Sequence, residues 1–157
     1  MSISTLIATV PLVYLLVIAT PLITIDLRQH RLPNKFVYPL ISLALISNLV
    51  SSWISGEWFR FGIAFAVAFG IGILGMVANH FDYLGMGDVK LLFGTSLAIA
   101  WFSWWLALVA VVATLICGIV FGFVLVSLMK RKVNALPLGV WSVPTALVVG
   151  SLAVLTI

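Results

Sequence analysis

Four acidic residues stand out in this chain of 157: Asp26, Glu57, Asp82 and Asp88. Asp88 sits in Gly85-Met86-Gly87-Asp88-Val89-Lys90, at the start of a long apolar run, and Asp26 sits in Ile25-Asp26-Leu27-Arg28, at the end of another. An acid beside the hydrocarbon is costly and is therefore a functional candidate. Two carboxylates in contact do not both ionise easily, so one keeps a proton. One can then deprotonate a water while the other donates to a scissile carbonyl, which is the chemistry of an aspartic protease. Gly85 and Gly87 would let a substrate backbone approach closely. Asp82, in Phe81-Asp82-Tyr83, competes with Asp88 as the second acid but lacks the glycine context. Glu57 lies beside Arg60 and reads as a solvated loop charge.

Each acid also has a plainer reading. Asp26 is expected to end its helix, where the dipole disfavours a negative charge, so a salt bridge to Arg28 or Arg31 would justify it. Asp88 suits a helix N-cap, where both side chain and charge are favoured. Lys90 either positions the following helix, tunes Asp88, or anchors at the headgroups by snorkelling. Pro33 and Asn34 read as a turn into the next helix. His30 and His80 show no metal-ligand spacing, and Cys117 reads as a buried structural thiol, so no metal or organic cofactor is expected.

The elements that carry these residues are membrane helices. Hydrophobic residues make up 64% of the chain and charged ones 8%, against about a quarter charged in soluble domains. The mean hydropathy is +1.31. The net charge of +4 is spread over short loops, so it reports topology, and no motif points to nucleic acid. Apolar runs extend over Ile3–Ile25, Phe36–Ile54, Phe59–Ala78, Val89–Met129 and Leu138–Ile157. The fourth run is about twice the ~20 residues one span needs, so it must hold two helices. Trp101-Phe102-Ser103-Trp104-Trp105 marks the turn between them.

The expected fold is thus an all-α membrane protein, a bundle of about six transmembrane helices with both termini outside. Residues 1–157 would form a single domain, and the first helix would be retained rather than cleaved. With loops 27–35, 79–88 and 130–137 inside, Arg28, Arg31, Lys35, Lys90, Lys130, Arg131 and Lys132 face the cytoplasm and only Arg60 lies outside. That asymmetry satisfies the positive-inside rule. Trp53, Trp58, Trp101, Trp104 and Trp105 fall at the outer border and Trp141 at the inner one, as interfacial anchors do. Gly62, Ala66 and Gly70, like Gly118 and Gly122, have the spacing that lets helices pack closely.

At its acidic segments the chain resembles the prepilin peptidases, a family of membrane aspartic proteases built on a glycine-x-glycine-aspartate motif. Asp26-Leu27-Arg28-Gln29-His30-Arg31-Leu32-Pro33-Asn34 is similar to the family's acid-then-basic stretch ending in Pro-Asn. Gly85-Met86-Gly87-Asp88-Val89-Lys90-Leu91-Leu92 matches the second motif, and Leu136-Pro137-Leu138-Gly139 is a weaker third match. The resemblance implies Asp26 and Asp88 as the catalytic pair, with Gly85, Gly87 and Lys90 shaping the substrate site. It implies cleavage of prepilins or pilin-like proteins after a basic leader, at the start of their hydrophobic helix, at the cytoplasmic face of the inner membrane. The larger members also carry a cytoplasmic segment with paired cysteines and N-methylate the new terminus. One cysteine and a short 27–35 loop imply a peptidase without that second activity, similar to the small enzymes of tight-adherence pili or archaeal preflagellins.

Two other classes compete. A small transporter or proton pathway also uses membrane carboxylates, though usually near the midplane at broken helices. A non-catalytic subunit of a pilus-assembly machine would tolerate Asp→Asn changes at both positions. The oligomeric state is not legible.

Overall fold

The computed structural model describes residues 2–29, 32–129 and 139–156. These form six α-helices: α1 Ile3–Gln29, α2 Asn34–Ser55, α3 Trp58–His80, α4 Met86–Ala100, α5 Trp104–Met129 and α6 Gly139–Leu155. The expected turn inside the long apolar run is present at residues 101–103. Among the described residues, four segments are long and apolar enough to cross a membrane, Ile3–Asp26, Asn34–Ser55, Trp58–His80 and Trp104–Phe121. Large apolar side chains such as Val17, Leu74 and Ile119 are exposed around the bundle. Such an exterior suits lipid, where helices satisfy their own backbone groups.

The shortest helix holds the centre. α4 packs against all five others, and those five close a ring around it in the order α1, α2, α3, α5, α6. Ten successive or near-successive residues of α4 are buried, including Leu91, Gly94, Thr95, Ser96, Leu97 and Ala98. Small residues at these positions let neighbours approach from every side: a Cβ on Gly94 would lie 3.1 Å from Ile41 Cγ1. The Thr95 and Ser96 hydroxyls donate to carbonyls of their own helix at 2.9 and 2.6 Å, so their burial leaves no hydroxyl proton idle.

The α3–α4 contact corrects the expected role of Gly62, Ala66 and Gly70. A Cβ on Gly62 or Gly70 would meet nothing within 4 Å, and Gly62 and Ala66 are exposed. The inward face of α3 is Ala64, Ala68, Ile71, Gly72 and Gly75. The two stripes are offset by two residues, about 200° around a helix. Gly75 abuts Val89, whose Cγ1 would lie 2.9 Å from an added Cβ, and Gly72 abuts Phe93 at 3.1 Å.

At one end of the bundle, Ser51 Oγ donates to the Ser4 carbonyl at 2.8 Å and Trp101 Nε1 to Ser52 Oγ at 2.8 Å. Trp53, Trp58, Trp104 and Trp105 are exposed at this end, as interfacial residues are, but Trp101 is 2% exposed. Trp101 is therefore a buried peg between α2 and α4, not an anchor. Arg60 pairs with Glu57 at 3.3 Å and sits over the Trp101 ring.

Candidate active site

The opposite end gathers the C-terminus of α1 and the N-termini of α2, α4 and α6. Ala8, Leu12, Leu15, Ile18 and Leu22 form the buried stripe of α1. Asp26 follows Leu22 by four residues, so it continues the same stripe and points inward. It is 3% exposed. Its Oδ2 accepts a hydrogen bond from the Val140 amide at 3.1 Å, in the first turn of α6. α1 runs on to Gln29, so Asp26 lies within its last turn rather than ending it. The dipole of α1 disfavours the charge and that of α6 favours it. This contact gives the acid a partner on α6; the expected salt bridge to Arg28 or Arg31 falls on side chains outside the described residues. The Arg28 side chain and residues His30, Arg31, Lys130, Arg131, Lys132 and Leu136-Pro137-Leu138 lie outside the described residues, as do the surroundings of Gly122.

Asp88 enters from α4. Gly85 is the N-cap, with φ −70° and ψ 143°, and Asp88 is the third residue inside the helix rather than the cap itself. Its amide and that of Val89 donate to the Gly85 carbonyl at 3.0 and 3.1 Å. The Asp88 carboxylate folds back over the glycine: an added Cβ on Gly85 would lie 3.0 Å from Oδ2. A negative group in the first turn still gains from the helix dipole.

Gly87 faces Leu32 of the α1–α2 connection, whose Cβ would lie 2.9 Å from an added Cβ. The open side of this glycine is thus filled by the chain itself. Lys90, one turn on from Met86, reaches α2: its Nζ donates to Asn34 Oδ1 at 3.2 Å and to Tyr38 Oη at 3.0 Å, and lies 4.9 Å from the Tyr38 ring centre. Asn34 is the first residue of α2, after Pro33 as N-cap.

Asp26, Leu32, Asn34, Gly85, Met86, Gly87, Asp88 and Lys90 together line one cavity of about 410 Å³. Both motif aspartates, both motif glycines and the lysine therefore share a single space. Asp82 is not among its lining residues. It is exposed, in the left-handed region at φ 59°, with its amide donating to the Asn79 carbonyl at 3.0 Å. In the sequence Asn34 reads as turn structure and Tyr38 carries no motif. Their spacing of four residues, one helical turn, was the available signal. The Val140 amide is backbone and carries no side-chain signature. Among the described residues, no group of three or more His, Cys, Asp or Glu could hold a metal ion.

Fold and site define an all-α membrane protein with two carboxylates and a lysine gathered in a cavity at one end of its bundle. The chain belongs to the type IV leader peptidase family, whose model matches residues 12–123, a stretch holding Asp26 and the Gly85–Lys90 segment. It is also 31% identical over 124 residues to the prepilin leader peptidase/N-methyltransferase of Escherichia coli (strain K12), an overlap covering 74% of this chain and 52% of that protein. The chain thus spans about half the length of this curated relative. No solved structure matches it.

Proposed function

We propose that this protein is a membrane aspartic endopeptidase that removes the leader peptide of type IV prepilins or pilin-like proteins. The observation that carries this reading is that Asp26 and Asp88 line the same cavity. Family membership and the relative's function support the substrate class.

With one proton between the two acids, the ionised carboxylate takes a proton from water. The water oxygen attacks the scissile carbonyl carbon while the other acid protonates the carbonyl oxygen. Collapse of the tetrahedral intermediate breaks the C–N bond: the acid that took the water proton gives it to the leaving amine, and the acid that protonated the carbonyl oxygen takes a proton back from a hydroxyl of the diol. The positive ends of α4 and α6 face this site and favour the negative charge the pair must carry. Lys90, tied to Asn34 and Tyr38, holds the first turn of α4 against α2 and so positions Asp88. The bias of basic residues towards this end supports an orientation in which it faces the cytoplasm, in the inner membrane, with both termini outside.

The test is leader removal from a pilin-type precursor in liposomes, followed by mass spectrometry. Wild type should cleave once, before the apolar helix, while Asp26→Asn and Asp88→Asn should be folded and inactive. Cleavage that survives Asp26→Asn would remove Asp26 from the mechanism, and failure of wild type to cleave any pilin-type precursor would sink the reading.

A further inference from the structure

A second concavity adjoins the acid cavity. It measures about 560 Å³ and lies between α2, α3 and α4, lined by Ile41, Phe65, Phe69, Ile73, Met76 and Phe93 among others. Met86 and Lys90 line both spaces, so the two lie side by side. The groove starts at the acid end of α3, at Met76, and runs back to Phe65. Eleven residues of helix span about 16 Å, or three turns. Its floor is α4, through Met86, Val89, Lys90 and Phe93, which recur at one-turn spacing on a single face. Its wall is α3, where Phe65 and Phe69 stack with ring centres 6.1 Å apart. Phe65, Phe69, Ile73 and Met86 are all 41% exposed or more, so among the described residues no other helix covers them.

Resting on the peptidase reading, we infer that this groove seats the apolar helix of the substrate that begins at the scissile bond. The direction fits. A peptide bond held between Asp26 and Asp88 has its polar leader at the acid end, and the chain that follows must descend into the bilayer. The groove descends from the same point. The chemistry fits as well. In lipid there is no hydrophobic drive to bring helices together, so recognition relies on close packing along a shaped surface. A concave aromatic wall with Gly72 at its base offers that surface. Three turns of contact also explain how an enzyme with so small a polar site would select a membrane-anchored substrate: binding energy from the helix orients the bond at the acids.

Photocrosslinking tests the seat. A benzoylphenylalanine is placed at Phe69, Ile73 or, as control, Val112, an exposed residue of α5. The background is Asp88→Asn, so that the precursor stays intact, and wild type is run on the same precursor. Adducts with the substrate's apolar helix should form from positions 69 and 73 and not from 112. Equal yields at all three positions, or adducts only with lipid or a second copy of this chain, while wild type cleaves normally, overturn the seat and leave the peptidase standing. Absence of cleavage by wild type overturns both.

A kinetic measurement is independent of crosslinking. Ile73→Trp fills the groove and should raise KM about tenfold, some 1.4 kcal/mol, with little change in kcat, for the precursor carrying its apolar helix. For a peptide ending shortly after the cleavage position KM should not move, and Val112→Trp should change neither. An equal rise for both substrates would overturn the assignment.

Discussion

Gly87→Ala is the sharpest probe of the site, because its consequence can be worked from three distances. The added Cβ would lie 2.9 Å from Leu32 Cβ, 3.5 Å from its amide nitrogen and 3.6 Å from its Cα. Carbon atoms rest at about 3.5–4.0 Å, so a gap of roughly 0.6–1.1 Å must be found. Neither Cβ can rotate away, since both are fixed by backbone. Either the Leu32 segment or the first turn of α4 moves, and Asp88 is the next residue. Overpacking of this kind costs about 1–3 kcal/mol, and misplacing a reacting group by about 1 Å can cost roughly 100-fold in rate. Leader removal should therefore slow by about that factor in Gly87→Ala. Leu32→Ala would not help, because alanine keeps the offending atom. Leu32→Gly removes it, so the double variant should regain at least about tenfold over Gly87→Ala, a coupling within the range expected for residues in contact. Rates by mass spectrometry and melting temperatures in detergent for all four proteins complete the cycle. Full activity in Gly87→Ala, or a double variant no better than the two losses combined, would refute the packing argument.

Asp26→Ala should melt below Asp26→Asn, by about 1–3 kcal/mol, because alanine leaves the Val140 amide buried without its acceptor; both should be inactive. Asn34→Ala and Lys90→Met should each slow cleavage severalfold and combine less than additively, since they break one bridge between α2 and α4. Trp101→Phe loses the bond to Ser52 and should cost about 1 kcal/mol in thermal unfolding with cleavage unchanged within twofold. Gly75→Ala, aimed at Val89, should destabilise the bundle by about 1–3 kcal/mol, whereas Gly62→Ala, in open space, should be neutral or slightly stabilising.

Much of this architecture is legible in the sequence. Hydropathy supplied the number of helices and the turn at Trp101–Ser103, because apolar run length is a direct measure of span. The motif residues Asp26, Gly85, Gly87, Asp88 and Lys90 were all singled out, and the structure places them around one cavity. What escaped depends on which way a helix faces. Gly62, Ala66 and Gly70 have the same spacing as a packing stripe but look outward, and in a chain this apolar, lipid-facing and core-facing residues share one vocabulary. Trp101 was placed with the interfacial tryptophans because composition cannot show that Ser52 awaits its indole nitrogen. The acceptor role of Asp26 towards α6 joins residues 114 apart in sequence, through a backbone group that no side-chain pattern reveals. The central place of α4 was readable in part: Gly94, Thr95, Ser96, Ala98 and Ala100 are small residues suited to a helix touched from all sides.

The brevity of α4 and α6 ties this molecule to the thickness of its bilayer. With 15 and 17 residues, they rise about 22 and 26 Å, short of the roughly 30 Å of hydrocarbon in a typical membrane. At the far end α4 is level with α2, since Trp101 meets Ser52, and at the acid end Gly87 meets Leu32 of the α1–α2 connection. α4 lies inside the ring of the other five helices, so the shortfall that lipid meets is that of α6, whose Val148 and Leu152 are exposed. Such hydrophobic mismatch is relieved by thinning the surrounding lipid. Longer acyl chains should raise the cost at α6, whose first turn holds the Val140 amide on Asp26, and slow the proposed cleavage; shorter chains should relieve it.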